Sequence, residues 1–304
     1  MNKRPLVPLD SFVSGLRRVL PAYPVCLLLL GLTYFLALHE SFDYVIGHFE
    51  TGAFWYVLLI VLTVGGVIVS AVPAFLARYT VSAADVPENN LGAVFGSVMG
   101  ACLAVILAAD SILAFTPETA VSAKLEAFTL PFLALSLILG ILPMTRGTVL
   151  HQLCSIPAIL TVNLTMFVCY FDPAVPINSP VRNLTTVMHC ALLLFLLSES
   201  RLTFGVKSWR ITVPYYIFAN GTTAAIAGGI ALGGILNRLL TMEPADPNLS
   251  LLRLGLYLAL AVLAVSRLFA LPKICGKYVE PPKKEKEKDE EAKPQSDKES
   301  PSEK

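Results

Sequence analysis

The chain has 304 residues, 55% of them hydrophobic and only 15% charged, with a formal net charge of +1. A soluble domain of this length carries about 25% charged residues; here 15 of the 45 Lys, Arg, Asp and Glu residues also fall in the last 24 positions, so the remainder is too apolar for a water-soluble globule. No basic patch with interleaved aromatics points to nucleic acid, and six scattered cysteines, without a C-x-x-C pair, argue against a disulfide framework or a structural zinc site.

Residues 1–20 carry Lys3, Arg4, Arg17 and Arg18. With Asp10 as a cap, a short helix here places Phe12, Val13, Leu16 and Leu20 on one side and the two arginines on the other, an amino-terminal interfacial segment lying along a membrane surface. Pro21 and Pro24 then redirect the chain into a first span over 22–38. A cleaved signal peptide is disfavoured, because Ala37-Leu38-His39 is a poor cleavage site. Seven further apolar runs predict spans at 54–77, 91–115, 127–144, 149–171, 184–198, 211–236 and 251–271, each long enough or nearly so to cross ~30 Å of hydrocarbon. The expected fold is therefore an all-α polytopic integral membrane helix bundle of about 8 transmembrane helices. The transmembrane domain covers 21–275. The segment 276–304 is rich in Lys, Glu, Asp, Ser and Pro, too polar to bury a core, and reads as a disordered charged cytoplasmic tail.

Lys and Arg set the expected orientation. With the amino terminus inside, eleven flank the inner ends and four (Lys124, Arg182, Arg238 and Arg253) the outer ones. Both termini are thus expected in the cytoplasm of a cell bearing the protein in its bacterial inner or plasma membrane. Eight spans also divide into two sets of four, 21–145 and 146–275, each with a glycine-rich third member. A 4+4 pseudo-repeat and coincidence both account for this, since the halves share no residue-level identity.

In the third span Gly92, Gly96 and Gly100 recur at four-residue spacing, as Gly221, Gly229 and Gly233 do with Ala225 in the seventh, a pattern that lets helices approach closely. Asp110 shares the azimuth of Gly92, since 18 residues make about five turns. A carboxylate in a span is costly and is expected to face protein or water. His189, Asn237 and Arg238 fall at a similar depth, so the four are a candidate polar or proton-handling site, with structural ion pairing as the competing reading. In the seventh span Pro214, Asn220, Gly221 and Thr222 could unwind a helix at mid-membrane, as at transporter binding sites; a continuous helix packed through its glycines is the alternative. The first outer loop holds His39, Glu40, Asp43, His48 and Glu50, but in no recognised metal spacing, so neither a metal nor a cofactor is expected. Without a nucleotide-binding, hydrolase or metalloprotease motif, the chain is not expected to be an enzyme. The functional readings are a secondary transporter or permease for a small solute, or a non-catalytic scaffold or sensor subunit acting through partner proteins, with the lipid bilayer as the common partner.

Overall fold

The computed structural model describes residues 8–50, 52–77, 81–83, 89–142, 144–145, 148–173, 175–176, 178–204, 209–241 and 246–277. Lys3, Arg4, Arg78, Arg146, Lys207 and the tail beyond Lys277 lie outside these residues.

The chain is an all-α polytopic bundle, in which eight helices of the described residues are long and apolar enough to cross a membrane. An amphipathic helix α1 (Leu9–Val19) runs through a turn into the first span, α2 (Ala22–Glu40). There follow a small hairpin, β1 (Phe42–Asp43) with β2 (His48–Phe49), and α3 (Phe54–Ala77). Strand β3 (Val81–Ala83) precedes α4 (Leu91–Leu113), α5 (Val121–Ile141), α6 (Val149–Phe171) and α7 (Pro180–Thr203). The seventh span is α8 (Trp209–Thr222), a π-helical turn (Thr223–Ala227) and α9 (Gly228–Leu240). The eighth is α10 (Leu251–Ile274), after which β4 (Cys275–Lys277) pairs with β3. An even number of spans leaves α1 and β4 at one end of the bundle, called here the terminal face; the β1–β2 hairpin marks the opposite, hairpin face.

Each apolar run becomes a helix because lipid offers the backbone no hydrogen-bond partner, so every amide must be satisfied within its own segment. The expected interfacial helix is α1, although Pro8 rather than Asp10 is its cap. Phe12, Leu16 and Leu20 are buried and Arg17 and Arg18 exposed.

Two spans extend well beyond their hydropathy limits. Helix α5 begins at Val121, not 127, and takes in Glu126; α7 runs from Pro180 to Thr203, not 184–198, and takes in Arg182, Glu199 and Arg201. Hydropathy stops at ionised side chains, whereas the folded bundle neutralises most of these with partners described below.

Packing follows the small residues. A Cβ on Gly96 would stand 2.9 Å from the Leu263 amide nitrogen and 3.0 Å from the Ala259 carbonyl oxygen, while Gly92 abuts Ser266 and Gly100 meets Leu137 of α5. The glycine row of α4 therefore brings its backbone directly against α10. In the seventh span Gly229 packs on Leu30, and a Cβ on Gly233 would lie 2.5 Å from the carbonyl oxygen of Gly31, so this row receives α2. Helix α3 packs on α2 and α8, α7 on α6 and the seventh span, and α5 on α6 across position 145. Helix α10 is the most enclosed span, touching α4, α7, α8, the π turn and α9.

Candidate functional site

The interior of the bundle contains two buried polar clusters, one near each face, and α10 contributes an arginine to both. Toward the hairpin face, Arg253 Nη2 lies 2.8 Å from Glu126 Oε1 of α5, which also accepts a 2.7 Å bond from the Thr165 hydroxyl of α6. Arg253 donates from Nη1 to the Asn248 carbonyl at 2.6 Å, and Asn248 Nδ2 donates to Asp172 Oδ2. Arg182 of α7 donates to the Tyr170 carbonyl at 2.7 Å, the Asp172 carbonyl at 2.5 Å and the Val175 carbonyl. A guanidinium on the orphan carbonyls at the end of α6 satisfies both their hydrogen bonding and the helix dipole.

One turn beyond Arg253, Tyr257 lies with its hydroxyl 3.0 Å from His189 Nε2, and the Nδ1 of this fully buried histidine is 2.7 Å from the Thr185 carbonyl. Asn237 is buried as well and accepts from the Tyr44 hydroxyl at 3.2 Å. A cavity of about 20 Å³, space for a single water, opens among Tyr34, Asn237, Arg238 and Asp246. Asp246 comes from the loop before α10 and is 4% exposed. Its Oδ1 accepts from the Asn248 amide at 2.9 Å, while its Oδ2 is buried without a partner among the described residues. Burial holds this carboxyl above the usual aspartate range, against the lowering effect of the Asn248 amide.

The four residues of the expected proton site therefore separate. Asn237 and Arg238 share a cavity, His189 belongs to the α7–α10 contact, and Asp110 stands exposed on the outside of α4. The buried residues of α4 centre roughly 100° round the helix from Gly92, so a side chain at the azimuth of Gly92 falls at the margin of the packed arc. The carboxylates buried at this end of the bundle are Glu126 and Asp246 instead, the latter hidden from a sequence reading by its place in a polar loop.

Toward the terminal face, Arg267 of α10 is 2% exposed. Its Nε lies 3.4 Å from Glu199 Oε2 of α7, and its Nη1 donates to Asn89 Oδ1 at 2.6 Å. Glu199 accepts at 2.8 Å from the Tyr216 hydroxyl of α8. Asn89 donates in turn to the Ile141 carbonyl at 2.8 Å, and Asn90 caps α4 through a 2.8 Å bond from the Ala93 amide while donating to the Ser266 carbonyl at 2.9 Å. The asparagine pair thus fastens the ends of α4, α5 and α10 around the arginine.

Beside Arg267 lies a cavity of about 40 Å³ lined by Ser97, Ser136, His151, Ser155, Glu199 and Ser200, with Leu133, Leu137, Phe195 and Leu263 among its apolar walls. Ser155 and Ser200 hydroxyls are 3.1 Å apart across it. Charged and hydroxyl groups from α4, α5, α6, α7 and α10 converge here within an apolar bundle. Arg267 shows no sequence signal beyond a lone charge within an apolar run, and such intramembrane charges face protein, as this one does.

The Pro214–Thr222 stretch stays helical. Pro214 lies within α8, Asn220 Nδ2 donates to the Tyr216 carbonyl at 2.8 Å, and the Thr222 hydroxyl donates to the Phe218 carbonyl at 2.9 Å. Instead of unwinding, the span widens into the π turn directly after Thr222, whose five residues are all buried. Thr223 there donates to the Ala191 carbonyl of α7 at 2.7 Å. Gly221 is pressed between Tyr23 and Ser70, so it joins α2, α3 and α8. In the hairpin loop, Asp43 accepts from the Val45 and Ile46 amides and Glu40 from Trp55 Nε1, so both carboxylates hold the loop's own shape.

Comparison with family models, curated proteins and solved structures returns no match to this chain.

Proposed function

We propose that the chain is a secondary transporter or permease for a small solute, and that the solute site is the cavity beside Arg267. The observation that carries this reading is an arginine 2% exposed, inside a bundle of apolar spans, lining a cavity with four serines and a histidine. Desolvating a guanidinium costs several kcal/mol even when paired, and charges in spans line substrate pathways or pair with one another. The described conformation is closed: the cavity has space for about one or two waters, and ion pairs lie toward both faces. Transport through it requires one pair to open at a time, and α10 is the element common to both. The excess of Lys and Arg at the inner ends supports both termini being cytoplasmic.

The test is uptake into proteoliposomes under a pH gradient across a panel of small anions and polar solutes. Accumulation of one solute by the natural chain, lost in Arg267→Lys, supports the reading. Silence across the panel overturns it in favour of a scaffold or sensor subunit, a reading that the small volume of the cavity favours.

A further inference from the structure

At the terminal face, α1 presents two different sides. Phe12, Leu16 and Leu20 are buried in the bundle, whereas Asp10, Val13, Ser14, Arg17 and Arg18 fall on an adjoining stripe. Together with Leu9, Pro272 at the end of α10 and Cys275 of β4, that stripe lines an open groove of about 570 Å³. Arg17 and Arg18 are exposed, and neither has an ion pair or hydrogen bond among the described residues. Arg17 and Arg18 come just before Ala22, where α2 begins, and Pro272 lies in the last turn of α10, so the groove lies at the terminal ends of the first and last long apolar helices.

We propose that this groove binds one anionic phospholipid, its phosphate held by Arg17 and Arg18 and the start of an acyl chain lying along Val13 and Leu9. The argument is charge complementarity joined to an apolar wall. Two guanidiniums unpaired among the described residues offer forked donors that match phosphate oxygens, and Leu9 and Val13 beside them give the groove an apolar side. Asp10 is the one acidic group lining the groove among the described residues, and it lies about 10 Å along α1 from Arg17, so it repels a phosphate at the arginine end weakly. It would instead favour a zwitterionic headgroup whose ammonium reached it, which makes that lipid the informative comparison. The proposal is independent of what, if anything, the bundle transports.

The full chain in detergent, titrated with phosphatidylglycerol and observed by native mass spectrometry, tests this. One lipid is expected to be retained in preference to phosphatidylethanolamine, and inorganic phosphate at equal concentration should not displace it. Each basic side chain near an anionic surface is worth a factor of about five in affinity, so the Arg17→Gln/Arg18→Gln variant should bind phosphatidylglycerol about thirtyfold more weakly. Arg201→Gln, which removes a charge elsewhere on the terminal face, should bind as the natural chain does. A melting temperature of the double variant unchanged in lipid-free detergent shows that it is folded. Equal retention of phosphatidylglycerol and phosphatidylethanolamine, undiminished binding by the double variant, or equal loss in Arg201→Gln would overturn the proposal. Displacement by inorganic phosphate would reduce the groove to a phosphate site without a lipid.

Discussion

Arg253 and Arg267 stand on one side of α10, about 21 Å apart along its axis, and each reaches a carboxylate on a different neighbour: Glu126 of α5 at 2.8 Å and Glu199 of α7 at 3.4 Å. Between them Tyr257, Leu260 and Ala264 continue the same buried stripe. One helix is thus pinned by charge at both ends, with the Tyr257–His189 contact and the Gly96 seam between them, and movement at either end must separate an ion pair in a medium that screens it poorly.

The Arg267–Glu199 pair is expected to behave as a unit. Arg267→Met or Glu199→Gln alone breaks this pair, whose arginine is buried and whose carboxylate is partly so, and should destabilise the fold by up to about 3 kcal/mol. The double variant should lose distinctly less than the sum of the two, a coupling that a double-mutant cycle on unfolding midpoints in detergent reads directly. Additive losses would show that the two side chains contribute separately.

Glycines in the two seams should tolerate no side chain, whereas a glycine facing open space should. Gly96→Val drives methyl groups into the α10 backbone and should cost at least about 1–3 kcal/mol by overpacking. Gly65, in the same kind of apolar run on α3, has nothing within 4 Å of an added Cβ, so Gly65→Ala should be neutral or stabilising by up to about 1 kcal/mol. Thermal melting of the two variants beside the natural chain separates these outcomes.

Asp246 should make stability depend on pH in a defined direction. Its carboxyl titrates above the ordinary 3.8 because it is buried, so the folded chain holds that proton more tightly than the unfolded one. Its contribution is most favourable below 3.8 and declines as pH rises through the raised value. Asp246→Asn keeps an oxygen for the Asn248 amide and removes the charge. The variant should therefore melt above the natural chain at pH 7, with the gap closing toward pH 4. A gap that stays constant with pH would assign the effect to packing.

Asp110 should matter little to the fold. It is exposed on α4, with no side-chain hydrogen bond or ion pair among the described residues, so Asp110→Asn should shift stability by under about 0.5 kcal/mol. Any solute uptake that the natural chain shows should keep its pH dependence in this variant, and loss of that dependence would return Asp110 to the functional site.

The sequence by itself determined the solvent, the number of spans and the two-sided character of α1, because hydropathy and helical periodicity are properties of short segments. The four-residue glycine rows are similarly local, and they occur where α4 meets α10 and where α9 meets α2. Only the tertiary structure decided which charges lie inside. Glu126 and Arg253, or Glu199 and Arg267, are far apart in the chain; Glu126 and Glu199 score as reasons to end a span, and Arg253 and Arg267 as costly charges inside one, until a partner from another helix is in place. The same holds for Asp110 and Asp246. A carboxylate in an apolar run turned outward, and one in a polar loop folded into the bundle, because side-chain burial depends on which neighbours the helices choose and not on the hydropathy of the segment that carries it.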